Sequence, residues 1–442
     1  MEFSDIETLI EARWVVPVAI RGQVLENHAV VVCKGRISAV MPATEARILF
    51  PSALVVSLPN QALIPGLINL HTHAAMSLMR GLADDLPLMD WLNHHIWPAE
   101  GQCLSEQFVC DGTLVACAEM LRSGVTCFND MYFFPTAGAE AVHRTGIRAC
   151  IGLVILDFPS PYASDADDYL QKGLAARDAL MGSERITTCL APHAPYTISD
   201  KTFEKVLTFA EQLNLNIHIH LHETHNEIEQ SLEEHGLRPV QRLTNLGLLG
   251  PNLMAAHCVH LMQSEIETLA AQGCHVLHCP TSNLKLASGI ASLARMADAG
   301  INIGLGTDGA ASNNRLDIFA EMRLAALLAK GGGGNASAVP AGQALEMATI
   351  NGARALGLDQ DIGTIEPGKY ADLTAVDFSG VEMQPCYDVI SHLAYVAGRE
   401  QVSHVWVGGE LLVEDGCLTR IADAELMEKT RLWQNRLNKF KH

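Results

Sequence analysis

The chain has 442 residues, of which 48% are hydrophobic and 18% charged, enough to bury one large core and a smaller one. Its formal net charge of −20 argues against a nucleic-acid backbone or an anionic membrane surface as partner. No run reaches the roughly 20 apolar residues of a membrane span, and none of the 12 cysteines forms CxxC, so zinc-ribbon and thioredoxin-like motifs are excluded.

In chain order, the N-terminal MEFSDIETL has no basic stretch followed by an apolar one. Cys117, Cys150 and Cys189 sit in apolar runs as small hydrophobes. Both features read as a cytoplasmic chain with reduced thiols. Residues 6–60 carry short β-like runs, TLIEARWVV, HAVVVCKGRISAV and ALVVSLP. From ALIPGLINLHTH (62–73) the pattern changes to apolar strands alternating with amphipathic stretches. Further strands are expected at 124–132, 147–156, 187–196, 216–224, 252–260, 274–282 and 301–309. Near-continuous apolar strands between helix-like segments imply a parallel sheet covered on both sides. Eight such units fit an α/β fold of the (β/α)8 TIM-barrel type, with a doubly wound open sheet as the alternative. The run GGGGN (331–335) follows a helix-like segment rather than a strand, so it reads as a flexible loop and not a phosphate loop. Residues 371–416 return to the β texture of the N-terminus.

Reactive side chains gather at the C-terminal ends of these strands. His71 and His73 end the first, His193 the fourth, the run IHIHLHET (217–224) the fifth, His257 the sixth and Asp308 the eighth. In a (β/α)8 barrel that face carries the active site. In HTH (71–73) two imidazoles two residues apart point the same way and can converge on one ion. Strand alternation also puts His218, His220 and His222 on one face, and spacing alone does not choose among them. Two other zinc motifs fail: HETHN (222–226) has Asn226 where HExxH needs its second histidine, and HNE (225–227) is followed by no PCxxC.

With PGLINLHTH, a histidine on strand five, another on strand six and the Asp of GTDGAASNN, the chain resembles the amidohydrolase superfamily. HTHAAMSLMRGLADDLPLMDWL with WPAE, APHAPY, IHLHET, AAHCVH, SNLKLASGIA and LGTDGAASNNRLDIFAEMRLA are similar to the branch of 5-methylthioadenosine/S-adenosylhomocysteine deaminases. The resemblance implies a barrel over residues 61–370. It also implies a composite β-sandwich domain from residues 1–60 and 371–442, with a C-terminal helix. It makes His71, His73, His220 and Asp308 the ligands of one metal ion per chain, and Glu223 and His257 catalytic. Strand four, TTCLAPHAPY, has no Lys to bridge a second metal. Three nitrogens and one carboxylate suit zinc, and iron or manganese accept the same ligand types.

The chemistry expected is replacement of an aromatic amine by water. Glu223 would protonate purine N1 from a setting that raises its pKa, and His257 would orient the attacking oxygen and stabilise the charge it develops. Asp308 would shuttle the proton to ammonia. The family pattern gives Glu100 the ribose hydroxyls, Trp91 the purine border and His193 a contact to the nucleoside. His218 is expected to pack beneath the metal and His222 to shape the pocket rim. Relatives that take S-adenosylhomocysteine hold its carboxylate with arginines after strand three. Here ILDFPSPYASDADDYLQK has no Arg and four Asp, and Arg148 stands at the far end of the strand. An acidic loop would repel that carboxylate, so methylthioadenosine and adenosine are the expected substrates. The rivals are a guanine or other aminopurine deaminase, a triazine chlorohydrolase, and a scaffold without chemistry. The family implies a homodimer or homotetramer.

Overall fold

A computed structural model describes residues 8–441. The N-terminal stretch read above for a leader lies, up to residue 7, outside the described residues. Sixteen strands form two sheets among the described residues. They are β1 (Thr8–Val15), β2 (Leu25–Cys33), β3 (Arg36–Pro42), β4 (Leu54–Pro65), β5 (Leu67–Thr72), β6 (Val125–Tyr132), β7 (Arg148–Ile155) and β8 (Ile186–Pro192). After them come β9 (Ile217–Leu221), β10 (Leu253–His257), β11 (His275–His278), β12 (Asn302–Leu305), β13 (Leu373–Asp377), β14 (Val402–Val407), β15 (Glu410–Glu414) and β16 (Cys417–Leu418).

Strands β5 to β12 lie in chain order in one parallel sheet, with helices between them, as the β/α alternation requires. The sheet curls into a TIM-type barrel. At the seam Asp308 donates its N–H to His71 O (2.8 Å), and Asn69 Oδ1 accepts the Thr307 N–H (3.0 Å). That seam is tight: a Cβ on Gly306 would stand 2.7 Å from His71 Cβ. Side chains on β5, β6 and β7 are buried on both faces, which explains their unbroken hydrophobic texture. No described helix is long and apolar enough to cross a membrane.

The second sheet is mixed and takes strands from both chain ends, in the order β16-β15-β14-β13-β4-β1-β2-β3. Its halves join where β13 pairs antiparallel with β4. Ile10, Val30, Leu63, Leu373 and Trp406 share its inner core. The strand expected at 62–73 is in fact two. β4 belongs to the mixed sheet and β5 to the barrel, with Gly66 between them. Hydrogen bonding switches sheets at this point: Gly66 N–H donates to Asp372 O and Leu67 N–H to Gly124 O. The expected boundary at 60/61 therefore falls inside β4. The glycine run also differs from its reading. Helix Ile318–Gly333 continues through three of its glycines and ends on Gly334, whose φ of 61° is the left-handed cap conformation. The C-terminal helix, Asp423–Leu437, is present; its Trp433 packs on Phe108 and donates Nε1–H to Asp111 Oδ2 (2.9 Å).

Candidate active site

His71 is the second-last residue of β5, and His73 follows just past the strand, so both rings reach the same mouth of the barrel. β9 alternates as expected through His218 and His220 and then stops at Leu221. His222 has φ 54°, which turns the chain and breaks the shared face. His257 (φ 71°) and Asp308 (φ 63°) are also left-handed at their strand ends. Such non-glycine conformations cost energy and collect at functional sites.

These turns bring four donor atoms together. His73 Nε2 lies 3.2 Å from Asp308 Oδ1, His71 Nε2 3.4 Å from the same oxygen, and His220 Nε2 3.3 Å from His73 Nε2. A tetrahedral ion at ~2.0–2.1 Å from each ligand requires edges of about 3.3–3.4 Å. Tautomers agree with that geometry. His73 Nδ1 donates to Met131 O (2.6 Å) and His220 Nδ1 to His193 O (2.7 Å), which leaves both Nε2 lone pairs facing inward. His71 Nε2 is fully buried with no hydrogen-bond partner. Burial holds His71 down at about 4 and His220 well below the usual histidine range. Burial also opposes a charge on His73, but the hydrogen bond to Asp308 and its charge, with Met131 O and Asp130, together outweigh it and lift it to about 9. Asp308 stays well below the carboxylate range despite burial, through its contacts with His71 and His73. The donor set fits zinc. His257 stands close enough to join His71 and His220 around an ion.

Supporting residues hold this set. Asp308 Oδ2 accepts from Ser282 Oγ (2.6 Å) and Ser312 Oγ (3.0 Å), and Oδ1 from Gly309 N–H (2.7 Å). His257 Nδ1 donates to Asn283 Oδ1 (2.8 Å), and its Nε2 lies 3.8 Å from Glu223 Oε2. Glu223 is buried, and burial pushes its carboxyl up. Its backbone is pinned by Glu227, whose carboxylate accepts the N–H of both His222 and Glu223 (2.8 Å each).

One pocket opens over the donors and is lined by every expected substrate residue: Glu100, Trp91, His193 and Glu223, together with His257 and Asp308. Glu100, on helix Trp97–Cys103, is buried and accepts from Tyr132 OH (2.6 Å); burial raises it to about 7. Trp91 donates Nε1–H to Ala83 O (3.1 Å). His193 Nδ1 meets Thr197 Oγ1 (3.2 Å), and burial lowers its ring to about 3.

Two expectations fail. His222 does not shape the rim: it is buried outside the pocket, accepts Val240 N–H at Nε2 (3.2 Å) and donates from Nδ1 to His260 O (3.3 Å). The acidic loop does not face the pocket either. Asp157 accepts from Ser199 and Thr202, Asp165 caps helix Ala166–Leu180, and Asp167 and Asp168 pair with Lys205 and Lys172. Phe158, Pro159 and Pro161 line that side instead, and the lining holds no Lys or Arg. Arg148, at the opposite end of β7, is bound to Asp372 (2.9 and 3.1 Å). Sequence reasoning missed Tyr132, Ser282, Asn283, Ser312 and Glu227. Four of these are ordinary polar residues, Tyr132 at the end of β6 and Ser282, Asn283 and Ser312 on short helices after β11 and β12, without a spacing that marks them. Glu227 opens a helix, where an acid is unremarkable.

Residues 62–412 match the model of the amidohydrolase family. The chain is 46% identical over 437 residues to a 5-methylthioadenosine/S-adenosylhomocysteine deaminase of Teredinibacter turnerae, covering 98% of each chain. A protein of the same name from Thermodesulfovibrio yellowstonii is 43% identical, with 97% of this chain and 98% of that one covered. Among solved structures, an adenosine deaminase from Xanthomonas campestris with bound zinc superposes with a TM-score of 0.97 at 46% identity, over 98% of this chain and 99% of that one. An atrazine chlorohydrolase from Arthrobacter aurescens shares the fold, with a TM-score of 0.88 at 24% identity, over 96% and 99% of the two chains. With the matching model spanning most of its length and full-length relatives at this identity, the chain belongs to the amidohydrolase family.

Proposed function

We propose that this chain is a zinc-dependent aminohydrolase that replaces the amino group of an adenine nucleoside with oxygen and releases ammonia. Its preferred substrates are 5′-methylthioadenosine and adenosine, ahead of S-adenosylhomocysteine. One observation carries the reading: His73, His220 and Asp308 line a single pocket walled by Glu223, Glu100 and Trp91, with the fully buried His71 against them. The deaminase relatives and the zinc-bearing adenosine deaminase support it.

Zinc in this donor set supplies a Lewis acid that makes water nucleophilic at neutral pH. Asp308 takes the proton of the attacking water, its carboxylate held in place by Ser282 and Ser312 at Oδ2 and by Gly309 N–H at Oδ1. His257 gives its Nδ1–H to Asn283, which fixes the ring and aims Nε2 towards Glu223 and the pocket, so the ring orients the attacking water. Glu223, kept towards its neutral form by burial, gives its proton to the ring nitrogen as charge builds there. Asp308 then passes its proton to the departing amine. Glu100 accepts from the two ribose hydroxyls, and Trp91 borders the base. An apolar wall at Phe158, Pro159 and Pro161 suits a methylthio group and offers no cation to an amino-acid carboxylate.

The division into a barrel unit and a composite unit is supported by sheet membership, with Gly66 as the junction. Cytoplasmic location is supported by the unpaired cysteines of the described residues. A symmetric homodimer or homotetramer is the assembly the family reading favours. Ammonia release from purified protein with methylthioadenosine tests the activity. It is expected to stop with a chelator and return with zinc, and activity indifferent to chelator overturns the reading. On kcat/KM, methylthioadenosine should exceed S-adenosylhomocysteine by more than about threefold; parity would sink the apolar-wall argument.

A further inference from the structure

His218 takes no part in the chemistry above, yet it is completely buried beneath the donor cluster. Its Nε2 lies 2.8 Å from His71 Nδ1, with the two rings nearly perpendicular at 86°. Its Nδ1 lies 3.2 Å from Asn129 Nδ2, which also donates to Leu70 O (3.0 Å). The other two histidine donors are backed differently. His73 and His220 rest on backbone carbonyls, which only accept, so their tautomer is fixed. His71 alone of the three rests on another imidazole.

That difference decides how His71 can be used. An amide nitrogen donates, so the N–H groups run from Asn129 to His218 Nδ1 and from His218 Nε2 to His71 Nδ1. Neutral His71 then carries its proton on Nε2, towards Asp308 Oδ1. A cation on Nε2 requires the reverse sense, with His71 Nδ1–H donated to His218 Nε2; the His218 Nδ1–H then faces Asn129, whose amide must turn or shift away and give up its bond to Leu70 O. Each ring stays neutral with one N–H in both arrangements. A neutral imidazole has one donor and one acceptor and can serve either sense, whereas a carbonyl cannot.

We infer that His218 is a positioning residue that holds the His71 ring in line with the metal site in both proton arrangements, so that the site stays aligned before and after zinc enters. The inference rests on the zinc reading of the site. Partners behind a metal-bound histidine are worth roughly 10–100-fold in metal affinity. The test is the rate at which zinc-loaded protein gives up zinc to an excess of a chromogenic chelator, alongside far-UV circular dichroism of each variant. His218→Leu, which offers no acceptor, should release zinc about tenfold faster or more. His218→Gln, whose side-chain oxygen accepts His71 Nδ1–H directly, should stay within about threefold of the unaltered protein. If the leucine variant does not fold, His218→Phe keeps a ring, removes both nitrogens and serves the same comparison. Release from the leucine or phenylalanine variant within twofold of the unaltered protein overturns the inference. So does release from the glutamine variant as fast as from leucine, since packing would then be the cause. An unaltered protein that holds no zinc would overturn the proposed function as well.

Discussion

His220 and His222 stand two residues apart in one run, and the chain gives them opposite jobs. The left-handed turn at His222 sends its ring to Val240 N–H, while His220 stays among the donors. His220→Ala should therefore lose zinc and activity together. His222→Ala should keep zinc and lose stability by about 1–3 kcal/mol, the cost of a buried N–H left without an acceptor. Metal analysis and thermal unfolding of the two variants check this, and an exchange of the two outcomes would mean the register through β9 is misread. Glu100 offers a second prediction. Burial lifts its carboxyl to about 7, so the acid form prevails below that pH in the empty pocket. The ionised form is the better acceptor for two ribose hydroxyls. KM for adenosine should fall as pH rises from 6 to 8, and Glu100→Gln should raise KM and flatten its pH dependence. A KM that ignores pH in the unaltered protein would remove Glu100 from this role. At this scale strand ends pointed to the histidine and aspartate cluster, while the resemblance to known relatives chose His220 among three histidines and singled out Glu223 and Glu100. Their partners could not be read from the sequence. Ser282 and Asn283, on one short helix, and Ser312, on another, become special only through contacts to side chains distant in sequence or across a turn.

Among the elements, the join between β4 and β5 is the most demanding. A Cβ on Gly66 would fall 2.0 Å from Thr126 Oγ1 and 2.6 Å from Thr126 Cβ. Gly66→Ala should destabilise the protein by about 1–3 kcal/mol through overpacking, read as a lower unfolding midpoint. Adding Thr126→Ala should recover part of the loss, and a single variant as stable as the unaltered protein would contradict the contact. Apolar texture located the strands well but blurred this boundary, since ALIPGLINL is uniformly hydrophobic across both sheets. The ends of β9, β10 and β12 were also read too long. The left-handed residues there, His222, His257, Cys258 and Asp308, are not glycines, although Gly306 directly follows β12. The same side chains that carry the chemistry sit where the strand rule ends, so pattern and geometry part at the site itself.

At the level of the whole molecule, the β/α period was enough to indicate the barrel, because each unit repeats a local signal. The mixed sheet is different. Its two halves are joined by β4 and β13, which nothing local connects, and the likeness to known relatives was what brought both chain ends together. The same join orders events during synthesis. β4 ends at Pro65 and its partner β13 begins at Leu373, so translation at ~5–20 residues per second separates them by about 15–60 s. For that interval one edge of β4 has no neighbour, and an unpaired strand edge invites pairing with other chains. All the strands that carry the metal ligands leave the ribosome before this edge is covered. The sheet that needs both termini is thus the last part of the newborn chain to become safe from aggregation.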